Sequence, residues 1–134
     1  MSAYLLDTNI ASDVIRGDRP QVLRRLTAVP MADVAVSSVT EGEILYGLAK
    51  RGRPPALGER VRQFLLRVDV LDWDRAAAAA YAELRSDCEK SGLSLSPLDL
   101  MIAAHAIAAN VILVTRDKAF TRIAGPLRIE DWTT

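Results

Sequence analysis

Residues 97–114, PLDLMIAAHAIAANVILV, run a helical pattern almost directly into a strand, Val-Ile-Leu-Val, that has no polar alternation. A strand that is apolar at every position must be covered on both faces, as in the parallel sheets of α/β proteins. Comparable short apolar strands read at Tyr4–Leu6 and in DVAVSS (33–38) and VDVLD (68–72). Between them lie helical patterns: TNIASDVIRG, RPQVLRRLTAV, VTEGEILYGLAKR, ALGERVRQFLLRV and DRAAAAAYAELRSDCEKSG. Strands alternating with helices predict an α/β sandwich with a mostly parallel central sheet flanked by helices. LRIEDW (127–132) reads as an edge strand, and residues 118–122 as a helical turn.

At 134 residues, with half of them hydrophobic and a quarter charged, the chain is expected to form one globular domain over 1–134. The longest nearly apolar run, Leu100–Val114, is broken by His105 and Asn110 and is too short to span a bilayer. The first residues lack signal-peptide features, so the cytoplasm is the expected compartment. The single Cys88 excludes an internal disulfide and a Cys-rich zinc site. Net charge is zero, which gives no general argument for nucleic-acid binding. Basic clusters at Arg16/Arg19/Arg24/Arg25 and Lys50/Arg51/Arg53 are able to contact phosphates. On solvated helix faces, however, such clusters more often serve solubility.

In a parallel α/β sheet, ligands bind at the carboxyl ends of the strands. Asp7 directly follows the first strand, and Asp117 follows VILV by two residues. Glu43 lies in the first turns of the helix entered from DVAVSS, and Asp99 in the first turn of the helix that feeds VILV. Asp7, Glu43 and Asp117 therefore share one rim, and Asp99 joins them if its helix begins there. Each has a capping alternative. Ser96-Pro97-Leu98-Asp99 is a good helix start, Ser38-Val39-Thr40-Glu41 reads as a capping box, and Asp7 and Asp117 suit N-cap positions. Glu43 has no such duty. Capping gives no reason for the acids to converge, and a cluster of like charges calls for a cation. Oxygen-only ligands suit Mg²⁺ or Mn²⁺. His105, alone in mid-helix, reads as a satisfied core histidine, and one histidine cannot furnish the acid–base pair of a metal-free ribonuclease. Cys88 sits on an apolar stripe, and neither Gly-x-Gly-x-x-Gly nor a Gly-Lys-Ser/Thr loop is present.

The motifs LLDTNI, SSVTEGEILYGL, PLDLMIAAHA, LVTRDKAF and IEDW, in this order over nearly the whole chain, resemble those of the PIN-domain family. The closest branch is the VapC-type ribonuclease toxins of bacterial toxin–antitoxin pairs. The resemblance implies a three-layer PIN-like domain and a Mg²⁺- or Mn²⁺-dependent endoribonuclease. It assigns the acidic set to Asp7, Glu43, Asp99 and Asp117, with Thr8, Asn9 and Thr115 as accompanying polar groups. Arg116 departs from the Asn common in related toxins. The implied chemistry is attack of metal-activated water on an RNA phosphate, giving 5′-phosphate and 3′-hydroxyl ends. Arg16, Arg19 and the Lys50–Arg53 cluster are candidates to guide the RNA backbone.

The same resemblance implies a VapB-type antitoxin, a toxin homodimer and a higher toxin–antitoxin assembly, with DNA contacted through the antitoxin. The stripes Val22/Leu26 and Val61/Phe64/Leu65 are candidate partner surfaces, and packing on the sheet accounts for each equally well. Two other classes compete. A phospho-receiver would want paired acids after its first strand, where this chain has Asp7 alone, and Glu43 would be surplus. A non-catalytic RNA-binding or interaction module on a PIN fold would not need four acids.

Overall fold

The computed structural model describes residues 2–134. Five short strands form one sheet: β1 (Tyr4–Leu6), β2 (Val34–Ser37), β3 (Asp69–Leu71), β4 (Ile112–Val114) and β5 (Ile129–Glu130). Their order is β3-β2-β1-β4-β5 and every pairing is parallel. The sheet expected to be mostly parallel is wholly so among the described residues. The IEDW segment supplies the edge strand β5.

Six helices connect and cover the strands: α1 (Thr8–Arg16), α2 (Pro20–Thr27), α3 (Ser38–Lys50), α4 (Pro55–Arg67), α5 (Arg75–Lys90) and α6 (Pro97–Ala109). The register explains the layers. Leu5 pairs with Ala35 and Leu113, and Leu6 with Val114. Successive side chains of a strand alternate between faces. Leu5, Ala35 and Leu113 accordingly pack on one side with Leu84, Cys88 and Leu100 of α5 and α6. Leu6, Val36 and Val114 pack on the other with Ile10, Val22, Val61 and Phe64 of α1, α2 and α4. Both faces are apolar because both carry helices.

The absence of polar alternation in VILV thus becomes a three-layer α/β/α arrangement. Trp132 is buried and packs edge-on against Tyr4, with ring centroids 5.3 Å apart, closing the core beside β5. Among the described residues, no helix is long and apolar enough to cross a membrane.

One expectation needs correction. The capping box does not start at Ser38. The N-cap of α3 is Ser37, whose hydroxyl accepts from Val39 N–H at 3.1 Å, while Ser38 Oγ accepts from Trp73 N–H at 3.0 Å. Of the two readings open for the α2 and α4 stripes, core packing accounts for Val22, Leu26, Val61 and Phe64, which are all buried, while Leu26 and Phe64 also line a surface groove.

Candidate active site

The strand order reverses between β1 and β4: from β1 the chain adds strands toward β2, and from β4 toward β5. At such a divide the loops leaving the two strands separate and open a crevice. Asp7 leaves β1 there. Its backbone N–H still bonds to Val114 C=O at 3.0 Å, so the residue is fixed by the β1–β4 ladder before the chain turns into α1. Asp7 is the N-cap of α1, with Oδ1 accepting from Ile10 N–H at 2.8 Å. Its other oxygen accepts from the Thr115 hydroxyl at 2.5 Å. The capping role and the rim position are one and the same geometry.

Thr115 follows β4 directly and is buried. Its hydroxyl also accepts from Asp117 N–H at 3.1 Å, so a single side chain binds the two strand ends together. Asp117 N-caps a 3-10 turn over Lys118–Arg122, with Oδ1 accepting from Ala119 N–H at 2.9 Å, and it is exposed. Glu43, in the second turn of α3, is half-buried, and its Oε1 accepts from the Thr8 hydroxyl at 2.6 Å. Thr8 in turn lies 3.2 Å from the buried Thr40 hydroxyl. Asn9 is exposed, one residue beyond this link.

Asp99 occupies the first turn of α6, where Ser96 Oγ accepts from its backbone N–H at 3.1 Å. A helix that feeds a parallel strand runs back across the sheet, so α6 begins at the rim where β4 ends. Asp99 is near enough for its charge to act on Asp7. Asp7 is only 5 % exposed, and burial pushes its carboxyl above the usual range. The Thr115 and Ile10 hydrogen bonds oppose that push, Asp99 adds to it and Arg116 opposes it. The N-termini of α1, α3 and α6 all open on this rim, and their free N–H groups favour negative charge.

Asp7 and Asp99 are near enough for their charges to interact, but Glu43 and Asp117 are not drawn into one cluster with them. Among the described residues, no three Asp, Glu, His or Cys side chains stand close enough to enclose an ion. The donor chemistry nevertheless fits a hard divalent cation. All candidate groups are oxygens, and Mg²⁺ is commonly held by one or two carboxylates with several waters retained. Each carboxylate oxygen that accepts one protein hydrogen bond keeps a further lone pair for a ligand.

Two residues outside this set stand out. His105 is buried, and its Nδ1 lies 2.8 Å from Ser37 Oγ; burial lowers its pKa. It is the satisfied core histidine expected. Asp13 was not singled out in the sequence, yet its side chain is fully buried and ion-pairs with Arg16, Arg19 and Arg116. Its signal was an acid three residues after the core Ile10, on the buried face of α1. Arg16 and Arg19, expected to face RNA, are therefore engaged with protein carboxylates. Arg16 and Arg51 also line a small cleft of about 110 Å³ with Glu43.

Residues 4–126 match the family model of the PIN domain. The chain is similar to a Shigella flexneri protein named tRNA(fMet)-specific endonuclease VapC, at 36% identity over 134 residues, covering 99% of this chain and 100% of the relative. It is similar in structure to the DNA-bound VapBC of Salmonella typhimurium, with a TM-score of 0.91 and 33% identity over 98% of this chain and 99% of the other. VapBC2 of Rickettsia felis, solved on a promoter DNA fragment, superposes with a TM-score of 0.90 at 33% identity over 97% and 98%.

Proposed function

The chain belongs to the PIN-domain family, in its branch of VapC-type ribonuclease toxins, and from that premise we propose a metal-dependent endoribonuclease working at the rim of Asp7, Glu43, Asp99 and Asp117. One observation carries the reading. The buried Asp7 sits at the divide between β1 and β4, held from behind by Thr115, with the Asp99 charge close by. A carboxylate so placed gains from a cation in front of it, because the cation restores the ionised form that burial disfavours.

Asp7, Glu43, Asp99 and Asp117 hold Mg²⁺ or Mn²⁺ in this reading, some of them through water. The ion, when bound, supplies Lewis acidity: it makes a nucleophile available at neutral pH and offsets charge gathering on the phosphate. The protein groups orient these acids. Thr115 directs Asp7, and Thr8 directs Glu43. Asn9, exposed beside Thr8, binds a water or an RNA oxygen in this reading. Hydrolysis by water rather than by the 2′-hydroxyl leaves 5′-phosphate and 3′-hydroxyl ends.

A VapB-type antitoxin restrains such an enzyme within a higher assembly built on a toxin homodimer, with DNA contacted through the antitoxin. The solved VapBC relatives on DNA support this. Its docking place is the groove of about 680 Å³ between α1, α2 and α4. Leu23, Leu26, Val29 and Phe64 line it with apolar surface, and Arg60, Arg67 and Glu59, the last paired with Arg62, are its charged residues. An apolar helix face with acidic flanks suits that surface.

The test is cleavage of cellular RNA, with tRNA(fMet) tried first because of the Shigella relative's name. Discrete fragments that require Mg²⁺ or Mn²⁺, vanish in EDTA and carry 5′-phosphates are expected. Fragments ending in 2′,3′-cyclic phosphate, or cleavage indifferent to EDTA, would overturn the mechanism.

A further inference from the structure

Asp13 is a buried charge for which hydrolysis at the rim has no direct use. Its side chain is 0 % exposed, and three guanidinium groups converge on it. Arg16 reaches Oδ1 at 2.7 Å and pairs also with Asp18 at 3.1 Å; Arg19 reaches Oδ2 at 3.2 Å. Those two already neutralise the carboxylate. The third, Arg116, comes from the loop after the neighbouring strand β4, and its Nη1 donates to the same Oδ2.

Arg116 differs from the other two in position. It stands between Thr115, bonded to Asp7, and Asp117, whose N–H bonds to Thr115. Its charge also acts on Asp7, one of the rim acids, without a hydrogen bond to it. A guanidinium has five N–H donors in a fixed planar fork that matches phosphate oxygens. Among the described residues, Arg116 spends only Nη1, and its side chain is 29 % exposed. Untethered, such a cation would fold onto Asp7 or Asp117 and compete with a metal ion for them. Asp13 holds it through Nη1, and the rest of the part-exposed guanidinium makes no hydrogen bond among the described residues.

We propose that Arg116 is a substrate-binding residue that hydrogen-bonds an RNA phosphate beside the acidic rim, with Asp13 as the positioning residue that fixes its guanidinium there. The proposal rests on the nuclease reading above and adds to it a residue that the four acids do not require.

The test is binding of a fluorescein-labelled single-stranded oligoribonucleotide, in Mg²⁺ and across a KCl series. It uses the full chain carrying Asp7→Asn to suppress cleavage. Adding Arg116→Ala should weaken binding on the order of tenfold and reduce the slope of log affinity against log salt by about one. Arg116→Lys should keep the slope and recover part of the affinity, because it keeps the charge and loses the fork. Asp13→Asn should also weaken binding, and no further when combined with Arg116→Ala, since both act through one contact. Should Asp13→Asn not fold, Asp13→Glu, which displaces the charge by one methylene, reads the same coupling. A folded Arg116→Ala chain with unchanged affinity and slope would overturn the proposal. Cleavage of the same RNA by the unsubstituted chain separates the two failures. If cleavage persists and the slope does not move, only the role of Arg116 falls. If no form binds or cleaves RNA, the nuclease reading falls with it.

Discussion

At the scale of single residues, Thr115 does more than its size suggests, because one hydroxyl serves Asp7 as donor and the Asp117 N–H as acceptor. Thr115→Val keeps the shape and removes both bonds. It should cost about 1–3 kcal/mol in chemical denaturation and lower cleavage, whereas Thr115→Ser should retain most of each. Asp7 gives a prediction in which stability and activity move in opposite directions. Burial holds its pKa above the ordinary value, so in metal-free protein the folded state binds this proton more tightly than the unfolded state does. The stability linked to it is complete below the unfolded pKa and is lost as pH rises through the folded one. Asp7→Asn keeps a side chain able to cap α1 and has no charge to bury. In EDTA near neutral pH it should melt above the parent, while cleavage falls at least about a hundredfold. A large drop in its melting temperature would contradict burial as the dominant influence. His105 has the opposite sign. Its pKa is lowered by burial, so its contribution is present above its unfolded pKa and is lost as pH falls through the depressed value. A His105→Asn chain should lose less stability than the parent between about pH 7 and pH 5, as read by thermal melts at both.

At the scale of elements, helix starts carry most of the site. Ser96 caps α6 as a reading of the sequence suggests, Asp74 caps α5, and Asn110 ends α6 with φ near 55°, a left-handed conformation that Asn tolerates. Asp99 could be placed on a first turn from sequence, but its presence at the rim follows only from the direction in which α6 returns to β4. The cap of α3 was misplaced by one residue because Ser37 and Ser38 are equivalent locally. The choice is made by Trp73, whose N–H takes Ser38, and by His105, which takes Ser37. Ser37→Ala should therefore destabilise by about 1–3 kcal/mol, and Ser38→Ala by less; urea unfolding of both variants distinguishes them. The Asp13 cluster was not legible for a similar reason. An acid on a buried helix face asks for a partner, but Arg116 lies 103 residues further along the chain. Local periodicity reports which face is buried and not what meets it. The strands were legible because a sheet covered on both faces leaves an unbroken apolar run.

At the scale of the molecule, the three layers separate two surfaces. The strand ends and helix N-termini form an acidic rim with arginines at its edge, and the layer of α1, α2 and α4 carries the apolar groove. Leu23 lines the groove and is only half-buried, so Leu23→Glu should abolish antitoxin binding in a pull-down with the cognate VapB-type protein and leave RNA cleavage intact. Loss of both would mean that the groove and the rim are not independent. Hydrolysis at the rim needs an ion held there. The direct measurement is a Mn²⁺ titration followed by electron paramagnetic resonance, on the antitoxin-free chain and on its Asp7→Asn and Asp99→Asn variants. Mn²⁺ should bind the parent chain and bind each variant at least about tenfold more weakly, in parallel with lost cleavage. Mn²⁺ affinity unchanged by both substitutions would contradict an ion held at the rim.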